Sequence, residues 1–349
     1  MAQPKHKTRE RVTVQDIADQ AGVSIAAVSS VLNNRQVERR ISPETVEVIR
    51  AATAKLGYLP NISARRLRSG TSQKNNIVLA FVTSFEAPLS LASHLIVELR
   101  QLVGRGGGSR DMTFSVMVEM FPAGQLKEMP GLLTGDHFNA AIITNTTPED
   151  DQFLTRSHLP FPVVLVNRAI PRYACVVEDP EAGALAAGAL LRGKRRKLAV
   201  LHGSPLTQTT QNRVDSFMRA GASQLGRPAQ EIVAGQLSEA AAYEAMIQFM
   251  ERGARIDGLY AVTDGMALGA YHAIKEKRLS IPKDIAVVGV GDYDISAYFD
   301  PPLSVVGVQR SELGKEASRL LMRQLEEPGL PPLKVEIPVQ SVMRASTGA

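Results

Sequence analysis

The side chains that could do chemistry in this sequence are few, and their spacing does not suit catalysis. Six histidines and one cysteine, Cys175, are its soft metal-binding groups, and no metal-ligand spacing runs through them. A single cysteine excludes an internal disulfide framework and an all-cysteine metal site, which suits a reducing cytoplasm. It sits in the strand-like "YACVVE", where a buried structural thiol is the simpler role. Ser204 lies in "HGSPL", which lacks the G-x-S-x-G of a nucleophile elbow, and His202 beside it reads as a polar strand-end residue. An enzyme has little support here, and neither cofactor nor metal is expected.

Charge placement says more. Residues 1–74 carry 13 Lys+Arg against 6 Asp+Glu, and the remaining 275 carry 27 against 29. A module of net +7 on a body of net −2 points to a polyanionic partner, nucleic acid ahead of a membrane surface, with a solubilising basic tail as the plain alternative. The opening "MAQPKHKTRERVTVQD" has no apolar h-region, and no run approaches the ~18 apolar residues of a membrane helix. Neither export nor membrane spanning is expected, so the cytoplasm is the expected compartment.

Elements that could position the basic module follow from local signals. Thr13 with Asp16 three residues on forms a capping-box pattern, after which Val14, Ile17, Ala18 and Ala21 share one helical face. Gly22 turns the chain, and Ser24 caps a second helix whose inner face is Val28, Val31 and Leu32. Two short helices joined by a tight glycine turn make a helix-turn-helix unit. A third helix opens at Ser42 with Pro43 at its first position, carries Val46, Ile49, Ala52 and Leu56, and stops at Gly57. Beyond Pro60, "ARRLRS" offers one or two helical turns with three arginines and a single leucine, Leu67. Alone in water so short a helix stays mostly unformed, and in free protein it reads as a flexible basic linker ending in Gly70, Thr71 and Ser72.

"VTVQDIADQAGVSIAAVSSVLNN", "ISPETVEVIRAATAKLGYLPN" and "SARRLRSG" together resemble the DNA-binding headpiece and hinge of the LacI/GalR family of bacterial transcriptional regulators. The resemblance places Ile25, Ala26 and Ser30 at the family's principal base-reading positions. Many members carry hydrogen-bonding or charged side chains there. Ile25 and Ala26 can only pack, for instance on a thymine methyl, which leaves Ser29 and Ser30 to offer hydroxyls to base edges. Thr13, Ser24, Ser29, Asn33, Ser42, Thr45, Tyr58 and Asn61 match positions that bond phosphate or orient the module; capping by Thr13, Ser24 and Ser42 is compatible with that. Arg39 and Arg40 lie in "NNRQVERRIS", about three residues longer than the commonest family loop, which either adds DNA contacts or is a solvated loop. The resemblance further implies that Leu67 wedges into the minor groove from paired hinge helices, with Ala64 allowing their close approach. Two half-sites imply a homodimer on double-stranded operator DNA, and about eight neutralised phosphates imply a salt slope near roughly −7. The ending "SVMRASTGA" has no leucine heptad, so no tetramerising tail is expected.

From Asn76 onward, strand-like runs ("IVLAFV", "TFSVMVEM", "AAIIT", "PVVLVN", then "KLAVLHG", "EIVAG", "GLYAV", "IAVVGV") alternate with helical ones. Continuous apolar strands between amphipathic helices predict parallel sheets covered on both faces, and the two series predict two similar lobes. Ligands of such sheets bind at the carboxyl ends of the strands, so the cleft between lobes is the expected site. "GRGGGSR" lacks the framing of a phosphate loop and reads as a flexible connection. This body resembles the periplasmic-binding-protein-like effector domain of the same family, and the resemblance implies three crossings between lobes, near Tyr173, Val308 and Leu333.

Arg213 matches the family's effector-cleft arginine, whose fork grips sugar hydroxyls or a carboxylate; the plainer role is a surface arginine on a helix N-terminal turn. Asn167 and Thr209 fall at family pocket positions. Three departures follow. Thr263 and Asp264 stand where many sugar-binding members have Asn-Asp. Gly291 precedes Asp292 where they have an aspartate, and Val308 takes the usual glutamine position, with Gln309 one residue late. These losses weaken the case for an ordinary neutral hexose.

The expected architecture is a small all-α helix-turn-helix headpiece plus an α/β periplasmic-binding-protein-like body of two parallel-sheet lobes. Residues 1–60 form the headpiece, 61–74 the hinge and linker, and 75–349 the body, with an N-lobe of about 75–173 and 309–333 and a C-lobe of about 174–308 and 334–349. The expected function is a sequence-specific DNA-binding regulator, a repressor, whose operator affinity is set by a small molecule, a sugar or other metabolite, in the cleft. The alternative is a small-molecule sensor that binds no operator.

Overall fold

The computed structural model describes residues 13–32, 36, 39–56, 76–86, 93, 95–98, 100–101, 113–129, 131–135, 137–291 and 293–348. The chain divides into two compact units, Met1–Gln73 and Lys74–Ala349.

In the first unit, α1 (Val14–Ala21), α2 (Ile25–Leu32) and α3 (Pro43–Leu56) form where the caps predict. Thr13 N donates to Asp16 Oδ2 at 2.6 Å, and Asp16 N returns to Thr13 Oγ1 at 3.2 Å, closing the capping box. Gly22, at φ 64°, ends α1 in the left-handed region that glycine enters without a Cβ penalty. Ser24 Oγ accepts from Ala27 N at 3.2 Å to start α2, and Ser42 Oγ from Thr45 N at 3.3 Å to start α3. Ile17, Val28 and Ile49 are fully buried, with Val14, Ala18, Val31, Val46 and Ala52 around them. Ala21, Leu32 and Leu56 are only half-buried at the rim, because three helices this short have no further layer to cover them.

The second unit holds two six-stranded sheets. The first contains β1 (Asn76–Ser84), β2 (Thr113–Phe121), β3 (Ala140–Thr144), β4 (Val163–Val166), β5 (Ala174–Glu178) and β11 (Lys334–Ile337), in the order β2-β1-β3-β4-β5-β11. The second contains β6 (Leu198–His202), β7 (Gln230–Val233), β8 (Gly258–Ala261), β9 (Ala286–Gly289), β10 (Ser304–Gly307) and β12 (Gln340–Val342), in the order β7-β6-β8-β9-β10-β12. Their pairings are parallel except that β12 runs antiparallel to β10. The matching orders explain the two series of strands in the sequence, and β3, β4, β5 and β6 are buried along their whole length, as covered parallel strands must be. Helices α4 (Pro148–Arg156), α5 (Ala182–Arg192), α6 (Gln208–Leu225), α7 (Glu239–Glu251), α8 (Asp264–Glu276) and α9 (Arg310–Glu326) connect these strands, with residues 95–98 helical between β1 and β2 and a single turn at Tyr293–Ser296.

The lobe boundaries correct the sequence reading at two places. β5 pairs with β4, Val176 opposite Val166, and β11 pairs with β5, so both belong to the first lobe. The first and third crossings therefore follow Glu178 and Ile337, a strand's length beyond Tyr173 and Leu333. The buried "ACVVE" lies inside the first sheet, between β4 and β11, rather than opening the second. The middle crossing lies between β10 and α9, whose Leu313, Ala317, Leu320 and Leu321 pack into the first lobe's core. No helix among the described residues is long and apolar enough to cross a membrane.

Candidate functional site

The helix-turn-helix surface is assembled from backbone geometry outward. Gly22 and the Ser24 cap present the first turn of α2, and Ile25, 44% accessible, and Ala26 are exposed there. A large β-branched residue left in water at a helix start is the arrangement the sequence suggested for contact with base methyl groups. Ser30 Oγ donates to Ala26 O at 2.7 Å, so its proton is already used and its lone pairs remain as acceptors. Ser42 Oγ and Thr45 Oγ1 lie 3.0 Å apart and share a hydrogen bond. Arg39 and Arg40 are exposed in a turn, Arg40 at φ 51°, closed by Ile41 N donating to Gln36 O at 2.9 Å. Asn33, Tyr58, Asn61, Ala64, Leu67 and Asp292 lie outside the described residues.

The cleft, about 410 Å³, lies between the carboxyl ends of the two sheets. Ser84, Asn145, Asn167 and Glu178 follow or end strands of the first, while Ser204, Gly235, Thr263 and Gly291 follow strands of the second. Arg213 stands in the second turn of α6, past the Thr207 cap, its side chain only 12% accessible rather than out on the surface of an N-terminal turn. Its Nε and Nη2 each donate at 2.6 Å to the two oxygens of Glu178, and Nη1 donates to Val262 O at 2.8 Å. Burial depresses the Arg213 guanidinium's pKa, but the charge and hydrogen bonds of Glu178 more than offset it and hold it above its ordinary range. Asn167, at φ 61°, is joined to the other lobe by Thr209 Oγ1 donating to its carbonyl at 2.6 Å, and Ala169 N donates to Gln208 Oε1 at 2.8 Å. Three expected pocket residues therefore also tie the lobes together.

Arg168, 1% accessible, is the second guanidinium in the cleft wall. It pairs with Asp151 at 3.1 Å and donates to Thr146 O at 2.6 Å and to Thr146 Oγ1. Burial lowers its pKa, with Asp151 opposing the shift. These two are the only cations among the described lining residues, and each already faces a carboxylate. Thr263 lines the cleft while accepting from Met266 N at 3.2 Å, and Asp264 begins α8 beside it. Asn167 Oδ1 is buried with no hydrogen-bond partner among the described residues, an acceptor that calls for a donor from a ligand or water.

Two family models match separate parts of the chain: the "Bacterial regulatory proteins, lacI family" model at residues 13–61, and the "Periplasmic binding protein-like domain" model at residues 187–347. The chain thus carries a LacI-type DNA-binding domain ahead of a periplasmic-binding-protein-like domain. Among its relatives, the HTH-type transcriptional regulator GalS of Salmonella typhimurium is 29% identical over 89% of each chain. The HTH-type transcriptional repressor PurR of Haemophilus influenzae is 26% identical over 90% of this chain and 91% of its own. The fold is shared with the lac repressor dimer bound to operator and the anti-inducer ONPF, at 24% identity and a TM-score of 0.69, over 97% of this chain and all of that one (100%).

Within this periplasmic-binding-protein-like body, the sequence reading missed Glu178, Arg168, Asn145 and Glu86, all lining the cleft. Glu178 and Arg168 had a legible signal: each is a charged residue at or just past the carboxyl end of an apolar strand, where open sheets place their ligands. Asn145 has no such mark in the sequence; its positive φ of 56° and the bond from its Nδ2 to Thr83 Oγ1 at 3.0 Å emerge only from the fold. Val308 is buried in the cleft wall and Gln309 is exposed at the start of α9, so the one-residue displacement of the glutamine removes an amide from the cleft. Cys175 is buried, and burial pushes its thiol up, away from nucleophilic use.

Proposed function

We propose that the chain is a cytoplasmic, homodimeric repressor whose headpiece binds operator DNA and whose cleft binds a small effector that sets operator affinity. The carrying observation is that a capped helix-turn-helix, with Ile25 and Ala26 bare on the first turn of its second helix, heads a two-lobed body with a cleft between its lobes. In this reading α2 enters the major groove, Ile25 and Ala26 pack on thymine methyls, and Ser29 and Ser30 meet base edges. Thr13, Ser24, Ser42 and Thr45 position phosphates, Arg39 and Arg40 supply charge from the turn, and Asn33, Tyr58, Asn61, Ala64 and Leu67 complete the contact as in the family. The chain acts by binding rather than catalysis. Its relatives are named as transcriptional regulators and repressors, and the lac repressor structure is a dimer on operator.

Asn167, Thr209, Arg213, Thr263, Asp264 and Asp292 serve the effector, together with Glu178. Because Arg168 and Arg213 are already matched by Asp151 and Glu178, the cleft favours an uncharged, donor-rich metabolite over a phosphorylated or carboxylated one. Gel shifts with genomic fragments test the DNA half: a fragment retained at nanomolar protein and not displaced by excess non-operator duplex supports it, and indifference to every fragment would end it. A melting-shift screen of the full chain against neutral sugars, sugar phosphates and other metabolites tests the cleft, since a bound ligand raises the midpoint.

A further inference from the structure

The loop between α5 and β6 reads "RGKRRK": Arg192, Lys194, Arg195, Arg196 and Lys197 place five cations in six residues of a body that is otherwise slightly acidic. Some exposed cations of this body are matched, as Arg219 is with Glu181, Lys275 with Asp300 and Lys315 with Glu312, while others such as Lys127, Arg156 and Lys283 stand singly; only this loop gathers five in six residues. Among the described residues none of the five makes a salt bridge. The nearby carboxylate of Asp257 is taken by the loop's backbone, accepting from Arg196 N at 2.9 Å and Lys197 N at 2.7 Å. Arg195 Nη2 donates to Pro282 O at 2.6 Å, and Arg227 Nη2 donates to Arg196 O at 2.8 Å. These bonds fasten the loop's backbone while leaving Arg192, Lys194, Arg196 and Lys197 exposed. Holding like charges together without counter-charges raises the energy of the free protein, so the arrangement suits an external polyanion.

The loop leads directly into β6, and Asp257 directly precedes β8. The cations thus line the amino-terminal edge of the second sheet, opposite the strand ends that form the cleft, and this surface is separate from the effector site. A groove beside it is lined by Gly188, Leu191, Arg192, Arg196, Gln224 and Leu225, and neither leucine is more than half-exposed. Protein interfaces and membrane-inserting surfaces need an exposed apolar or aromatic anchor. A phosphate backbone needs only the charge and the donors. We propose that this edge is a second, sequence-independent binding surface for duplex nucleic acid, able to hold a DNA segment distinct from the one in the headpiece.

Acetylation footprinting of the full chain reads the loop directly, because Lys194 and Lys197 are followed apart from the headpiece whether or not an operator is recognised. A 40-base-pair non-operator duplex at low salt is expected to slow acetylation of both lysines at least threefold, with Lys275 and Lys315 unchanged and polyglutamate of equal charge without effect. No slowing overturns the proposal, and so does equal or greater slowing by polyglutamate, which would assign the surface to acidic protein. As a second measurement, Arg192→Gln/Lys197→Gln should reduce the salt slope of non-operator binding by about 1.8 per protomer engaged, at roughly 0.9 per lost phosphate contact. An unchanged slope also refutes it.

Discussion

Replacing Glu178 by glutamine probes the body's interior most sharply. Glu178 ends β5 in the first lobe, Arg213 stands on α6 of the second, and their side chains are 3% and 12% accessible. Removing one partner of a buried ion pair ordinarily costs about 3–5 kcal/mol, because the other charge is left without compensation. Glutamine keeps one acceptor but turns an amide toward the second guanidinium nitrogen, so the lower end, about 3 kcal/mol, is expected. In a body of this size that corresponds to a fall of roughly 6–12 °C in the melting midpoint. The pair bridges the lobes, however, so opening the cleft can rehydrate Arg213 and limit the loss. A midpoint drop well below this range should then be accompanied by a larger radius of gyration in small-angle scattering. Arg213→Met alone should be similarly costly, while Glu178→Gln/Arg213→Met leaves no buried charge and should cost no more than either single change, giving a coupling energy of about 3 kcal/mol. If the two single losses simply add in the double variant, to within about 0.5 kcal/mol, the pair is not the tie the geometry describes.

The same helix is held from behind by Gly183, where an added Cβ would sit 2.0 Å from Arg213 O and 2.6 Å from Phe217 N. Gly183→Ala should therefore force α5 and α6 apart, cost about 1–3 kcal/mol of stability through overpacking despite alanine's better helix propensity, and lower the midpoint; an unchanged or raised midpoint contradicts this. In the headpiece, the hydrogen bonds of the Thr13 side chain and backbone hold the Asp16 carboxyl below its ordinary 3.8. The cap's contribution is thus present above that value and lost as pH falls through the lowered one, and carbonyl NMR titration of Asp16 should show a midpoint that Thr13→Ala moves back up. Arg39→Ala/Arg40→Ala should weaken operator and non-operator binding alike, since a turn presenting only charge adds phosphate contacts; unchanged affinity in a gel shift returns the turn to solvent.

Much of the headpiece was legible because its signals are local. Thr13, Ser24 and Ser42 are each within three residues of the amide they cap, and Gly22 is both turn and helix end, so no long-range information is needed to place α1, α2 and α3. Strand identity in the body was equally plain from runs such as "AAIIT" and "VVLV". What the sequence did not reveal is pairing. Whether "ACVVE" joins one sheet or opens the next depends on which edge is unfilled, and that is decided by β4 lying beside it rather than by anything within the five residues. The cleft shows the same limit: Arg213 could be marked as a ligand group, but its commitment to Glu178 joins positions 35 residues apart in the chain and on different lobes.

That commitment changes what an effector must do in this protein. A cleft that closes on a free arginine draws its closing energy from the ligand's own acceptors. Here Glu178 already occupies the guanidinium from the opposite lobe, and Thr209 and Gln208 add hydrogen bonds across the same boundary. A ligand shifts the lobe equilibrium only by the difference in its affinity for the two states, so one that merely fills the closed cleft adds to a tie already made. One that competes with Glu178 for Arg213 favours opening. Regulation requires a coupling of only about 1–3 kcal/mol, and the ion pair's expected coupling energy is of that size. The sign of the response can therefore be tested on Glu178→Gln without knowing the effector. If closure holds the operator-binding state, this variant should bind operator more weakly in the absence of any ligand; if opening does, more tightly. Identical operator affinity in the variant and the parent would separate the lobe tie from DNA binding altogether.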